Sequence, residues 1–238
     1  MIETQNTVSN KVKVVLFDLD DTLYDYKNLK RLADNTAFSV LGSEYSKKAS
    51  DLYEEAKENL RLLYTKKQIT HNQFYDRRTR YSILLDLLGI EKTGLDIKMD
   101  DAFWKTIKKN IKPFDNSKKV LSDLKKFYKL GIITNGLKWQ QQLKLKHLNM
   151  TNYFDYLFTS EDAGIEKPNR EFFEYVLNKF NDIQCNECMV VGNEPIDDIL
   201  GAKNVGMKTI FFNNKADLKD IIPDYEINDI CQLKSILL

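Results

Sequence analysis

Cysteine, proline, histidine, long apolar runs and net charge are all scarce in this sequence, and each scarcity narrows what the chain can be. Three cysteines, Cys185, Cys188 and Cys231, are too few and too odd in number for a disulfide framework. That points to a reducing, cytoplasmic setting. Cys185 and Cys188 have C-x-x-C spacing, but no second pair exists to complete a zinc site. The 2 histidines, His71 and His147, have no partner at ligand spacing and read as ordinary helix residues. The longest early apolar run, Val14 to Phe17, is far too short to span a bilayer, and the N-terminus shows no apolar stretch of signal-peptide length. Lys+Arg (36) and Asp+Glu (35) leave a net charge of +1, too weak a field to recruit nucleic acid or an anionic membrane. A local site must therefore do the recognising, and both a monomer and a homodimer fit.

What is present is an ordinary globular composition. The hydrophobic fraction is 42%, and 238 residues suit one large domain or a core with a smaller insertion. Residues 1–10 are polar and read as a frayed lead-in. Val12 to Asp18 (VKVVLFD) is a β-branched run ending in acid, the pattern of a strand buried on both faces. From about Tyr26 to Asn110 the character changes: no proline, few glycines, and apolar residues at helical spacing. Leu52, Tyr53, Ala56, Leu60 and Leu63 make one such stripe; Tyr81, Leu84, Leu85 and Leu88 make another. This block predicts four or five helices.

Strand and helix alternate after Pro113. Helices are expected over Asn116–Tyr128, Lys138–Leu148, Arg170–Phe180 and Ile196–Val205. Strands are expected over Leu130–Thr134, Tyr156–Thr159, Met189–Gly192 and Lys208–Phe212. The alternation predicts an α/β fold: a doubly wound, Rossmann-like parallel sheet with ligands outside the carboxyl ends of its strands. Val12–Asp18 belongs to that sheet, so residues 26–110 are inserted into a core made of 1–25 and 111–238.

Four strand ends carry polar groups. In Asp18-Leu19-Asp20-Asp21-Thr22, side chains two apart along an extended segment point the same way, so Asp18 and Asp20 can converge. Two acids sharing a site imply a cation or a shared proton, and Mg²⁺ is the economical cation for oxygen ligands. The plainer alternative is a solvated acidic turn. Thr134-Asn135-Gly136 follows a strand and precedes a helix, which makes an anion cradle or simply a turn and cap. Lys167, before Pro168, offers a point charge to a phosphate or stays solvated. After Gly192, Asn193 sits where a strand-tip metal ligand would, while Asp197 and Asp198 suit either a site or a helix dipole. Their chain order places all four segments at one edge of the sheet, and that combination favours phosphoryl chemistry.

These segments resemble the haloacid dehalogenase (HAD) superfamily, specifically its phosphatase branch. Asp18-Leu19-Asp20-Asp21-Thr22 matches the first motif of that family, Thr134-Asn135-Gly136 the second, Lys167 the third and Gly192 through Asp198 the fourth. The resemblance implies an HAD core with a type 1 helical cap that closes over the site. It implies Asp18 as nucleophile, Asp20 as general acid and base, and Thr134, Asn135, Gly136 and Lys167 as phosphate contacts. Mg²⁺ is then held by Asp18, the backbone carbonyl of Asp20, and Asn193 or Asp198. The substrate is a small phosphorylated metabolite. Asn193 stands where the family commonly has aspartate, which removes one negative charge from the metal site. A haloacid dehalogenase, a phosphomutase and a catalytically weak regulatory protein share this fold; Asp20 argues against the first, since halide departure needs no general acid.

Overall fold

In the computed structural model, which describes residues 12–212 and 217–238, the β-branched runs become the strands of one parallel sheet. They are β1 (Val14–Phe17), β2 (Lys129–Thr134), β3 (Tyr156–Thr159), β4 (Cys188–Gly192), β5 (Lys208–Phe212) and β6 (Tyr225–Ile227). Their spatial order is β3-β2-β1-β4-β5-β6, and every pairing is parallel. This is a doubly wound order: the chain moves outward from β1 in one direction and then returns to its other side. The lead-in expected over residues 1–10 lies outside the described residues.

The chain divides into two compact units, Tyr26–Ile111 forming one and the chain on either side of it the other. The first is all helix: α1 (Tyr26–Ser39), α2 (Ser43–Thr65), α3 (His71–Tyr75), α4 (Arg77–Leu88) and α5 (Leu95–Asn110). Here α1 packs on α5 and α2 on α4. Of the periodic residues, Tyr53, Ala56, Leu60, Tyr81, Leu84 and Leu85 are buried, while Leu52, Leu63 and Leu88 on the same stripes are half-buried.

In the α/β unit the crossovers are α6 (Ser117–Leu124), α7 (Lys138–His147), α8 (Ser160–Ala163) and α9 (Arg170–Leu177), followed by a π-turn at Pro195–Leu200 and a short helix at Gly201–Lys203. All four residues of β1 are buried, which is why this strand reads as an unbroken apolar run. Val14 and Leu16 face a cluster with Phe172, Phe173, Val176 and Val190. Sequence expectation placed a regular helix over Ile196–Val205; the structure puts an i→i+5 turn in its first half, a distortion common at functional sites. The last strand, β6, is only three residues long and has too short a pattern to be seen in the sequence. Among the described residues, no helix is long and apolar enough to cross a membrane.

Candidate active site

The strand order sets β2, β1 and β4 side by side, so the loops leaving their carboxyl ends share one edge of the sheet. After Phe17 the chain turns at once. The Leu23 N–H donates to the Leu19 carbonyl at 3.1 Å, and Asp21 takes a left-handed φ of 62°, which aspartate tolerates better than most residues. Leu19, Leu23 and Tyr24 are fully buried and anchor this turn. Asp18 and Asp20, two residues apart, have different partners.

Asp18 is 7% exposed. Its Oδ1 accepts from Lys167 Nζ at 2.8 Å, and its Oδ2 accepts a longer bond from Thr22 Oγ1 at 3.3 Å. Lys167 Nζ also donates to Asp198 Oδ1 at 2.6 Å and to the Ile133 carbonyl at 3.1 Å, which uses all three of its protons. Asp198 lies in the π-turn after β4, completely buried against the tip of that strand. A Cβ at position 192 would sit 2.3 Å from Asp198 Oδ2, so only glycine permits this approach. The other oxygen contact of Asp198 is the Glu194 N–H, at 3.0 Å.

Asp20 is held elsewhere. Lys144 Nζ, from α7, donates to its Oδ1 at 2.9 Å and its Oδ2 at 2.6 Å, and the Tyr24 hydroxyl donates to Oδ1. Sequence reasoning missed both partners. Lys144 left a faint signal: it falls in the stripe Leu137, Gln141, Lys144, Leu148, where a helix packed on a core carries apolar residues.

The remaining expected residues are close by, each with its own partners. Thr134 is buried at the tip of β2. The Asn135 side chain brackets the Lys167 backbone, accepting from its N–H at 2.9 Å and donating to its carbonyl at 3.1 Å. That bracket fixes the loop that delivers Lys167. The Gly136 N–H, expected to be free for phosphate, donates to Ser160 Oγ at 2.8 Å. Asp198, expected as a metal ligand, has one oxygen on Lys167 and the other on Glu194, just as both Asp18 oxygens and Asn193 Oδ1 are hydrogen-bonded.

The electrostatics of this edge are dominated by acid. Burial pushes the Asp18 carboxyl up to about 7, opposed by Lys167 and reinforced by Asp198. Burial likewise raises Asp197 to about 6, again against the pull of Lys167. For Lys167 burial works the other way, but Asp18 and Asp198 more than offset it and hold the ammonium firmly protonated. Two buried carboxylates facing one ammonium leave an uncompensated negative charge. The neighbouring donors are hard oxygens: Asp18, and Asn193, whose Oδ1 is turned toward Thr22 Oγ1 at 2.9 Å while its Nδ2 donates to Glu194. Among the described residues, no group of three or more His, Cys, Asp and Glu could hold a metal by itself. The chemistry of such oxygen donors fits a hard, partly hydrated cation such as Mg²⁺. Cys188, by contrast, is a free thiol buried in β4, where burial raises it to about 12 and leaves it inert.

The family model of haloacid dehalogenase-like hydrolases matches residues 15–212. The chain is 34% identical over 240 residues to a glyceraldehyde 3-phosphate phosphatase of Methanothermobacter thermautotrophicus, covering 95% of this chain and 100% of that protein. It is 26% identical to the pyrimidine 5'-nucleotidase YjjG of Escherichia coli, over 95% of this chain and 96% of that one. Among solved structures, the HAD-hydrolase YfnB of Bacillus subtilis, described as bound to magnesium, has a TM-score of 0.78 at 25% identity, covering 95% of this chain and 99% of that chain.

Proposed function

This chain belongs to the haloacid dehalogenase-like hydrolase family, and we propose that it is a magnesium-dependent phosphatase acting on a small phosphorylated metabolite through an aspartyl-phosphate on Asp18. Glyceraldehyde 3-phosphate leads the candidate substrates, because the relative at 34% identity carries that name; pyrimidine nucleotides come next. The observation that carries the reading is the division of partners between two acids two residues apart. Asp18 shares the Lys167 ammonium with Asp198, while Asp20 is held apart by Lys144 and Tyr24.

In the first step an Asp18 oxygen attacks phosphorus and the bond to the leaving oxygen breaks, with Asp20 supplying the proton that this oxygen needs. In the second, Asp20 takes a proton from water as the water oxygen attacks phosphorus and the Asp18–phosphorus bond breaks. Inorganic phosphate leaves and Asp18 is regenerated. Lys167, the Thr134 hydroxyl and the Asn135 N–H hold the equatorial oxygens as their charge redistributes. The Asn135 side chain acts indirectly, by fixing the Lys167 loop. Mg²⁺, held by Asp18, the Asp20 carbonyl and Asn193 or Asp198, would offset the repulsion between nucleophile and phosphate. Asp198 serves this arrangement by holding Lys167 in place.

The test is a panel of phosphate esters, assayed for phosphate release with Mg²⁺ and with a chelator. Glyceraldehyde 3-phosphate, pyrimidine nucleoside monophosphates and p-nitrophenyl phosphate belong on it, with a 2-haloacid as control. Hydrolysis that needs Mg²⁺ is expected on at least one ester. Halide release without phosphate release would replace this reading with a dehalogenase.

A further inference from the structure

We infer that Lys144 is a positioning residue of the reaction, clamping the Asp20 carboxylate in the orientation from which it reaches the leaving oxygen. The inference rests on the phosphatase reading above and deepens it at the same site.

The geometry is unusual for a lysine. Its side chain is only 3% exposed, whereas the side chain of Asp20 is 25% exposed. A partly exposed carboxylate can be hydrated without a buried ammonium, and an ammonium taken out of water costs several kcal/mol unless its contacts are good. Here they are good. Lys144 reaches both oxygens of one carboxylate, at 2.9 and 2.6 Å, and Tyr24 adds a third hydrogen bond to Oδ1. Three hydrogen bonds from two segments fix the plane of a group that would otherwise turn freely about its last torsion.

Both donors are themselves anchored. Tyr24 is fully buried, with its backbone bridged to Asp20 on one side and Pro113 on the other. Lys144 sits mid-helix in α7, whose neighbouring Gln141 donates to the Asn135 carbonyl at 3.1 Å. The clamp is thus built on the same segment that follows β2 and brackets Lys167. Helix α7 links the acid–base group to the phosphate-binding loop. Displacement of a reacting group by about 1 Å can cost on the order of 100-fold in rate, so a clamp of this kind has kinetic weight.

The experiment compares Lys144→Met, Lys144→Gln and Lys144→Arg with Asp20→Ala, on p-nitrophenyl phosphate and on an alkyl phosphate, with Mg²⁺ saturating. A good leaving group needs little proton donation, so an Asp20 defect shows mainly on the alkyl ester. Lys144→Met should lower kcat on the alkyl phosphate by about 10- to 100-fold, with a much smaller loss on p-nitrophenyl phosphate and little change in KM. Lys144→Arg should recover most of it, and Lys144→Gln should fall between. In an Asp20→Ala background, Lys144→Met should cause no further loss, because the lysine acts only through that carboxylate. Equal losses on both esters, or a loss that persists without Asp20, would overturn the inference. If Lys144→Met does not fold, the Arg and Gln variants carry the same comparison. If Asp20→Ala shows no preference between leaving groups, the acid–base assignment itself fails, which is a separate outcome.

Discussion

Both units of this protein bury charge, and they do so in opposite ways. In the helical unit, Asp34 is 5% exposed and Arg77 8% exposed. The Asp34 carboxylate accepts from Tyr53 at 3.1 Å, Arg77 at 3.3 Å, Tyr81 at 3.4 Å and Lys30 at 2.7 Å. Arg77 also donates to Tyr26 and stacks 3.5 Å over the Phe103 ring. The anion there is saturated by donors, with no acid left over on it. In the α/β unit, the Lys167 cluster has two carboxylates and one ammonium. A saturated cluster ties helices together, whereas an unsaturated one stores a demand for positive charge. Buried charge alone does not mark a site; here the cluster with surplus acid is the one at the strand ends.

That contrast yields predictions, of which the strongest concerns the nucleophile. Asp18→Asn is nearly isosteric at a strand end, so the protein should stay folded by circular dichroism while turnover falls by about three orders of magnitude or more. A folded variant with over about a tenth of wild-type turnover would remove Asp18 from the chemistry.

Next come the two cations. Lys167→Met leaves Asp18 and Asp198 buried without a counter-charge, and Arg77→Met leaves Asp34 short of one donor. Each should cost about 3–5 kcal/mol, read as a drop in Tm of roughly 10 °C. The units should differ in rescue: added Mg²⁺ should raise the Tm of Lys167→Met more than that of wild type, and should do nothing specific for Arg77→Met. Thermal melts with and without Mg²⁺ decide this, and equal responses would erase the distinction between the clusters.

A smaller effect is expected at Asn193, where a neutral oxygen stands in for a carboxylate. Asn193→Asp should lower the half-saturating Mg²⁺ concentration by on the order of tenfold, one added charge at a hydrated site being worth about 1–2 kcal/mol. Its melting point without metal should fall slightly, since Glu194 then faces a carboxylate instead of an amide donor. A Mg²⁺ titration at fixed substrate checks it; an unchanged requirement would place Asn193 outside the metal's ligands.

The smallest effect belongs to Asp100 in α5, whose Oδ1 is buried and accepts no hydrogen bond among the described residues. Burial pushes this carboxyl up from 3.8 to about 6, against the pull of Arg77. A folded-state value above the unfolded one means the ionised form is disfavoured in the fold. Stability from this group is complete below about pH 4 and is lost as pH rises through about 6. Asp100→Asn should therefore gain a few degrees in Tm at pH 7 and almost nothing at pH 4. A gain that is the same at both pH values would mean that ionisation is not the cause.

How much of this was legible in advance depends on the range of the signal. The β-branched runs, the helical stripes and their alternation are local, and they determined the α/β class and the parallel sheet, because burial on both faces writes an apolar run directly into the sequence. Asp18, Asp20, Asp198, Thr134 and Lys167 stood out in the sequence as polar residues at strand ends, and the structure brings Asp18, Lys167 and Asp198 into contact. Tertiary structure alone decided who holds whom. Lys144 lies 124 positions from Asp20 and Asn193 lies 171 from Thr22, and no local pattern encodes a pairing across such distances. It also decided that Gly136 gives its N–H to Ser160 and that Asp198 is spent on Lys167 and Glu194. Every buried polar group must find a partner, and which partner is nearest becomes known only once the strands are in register.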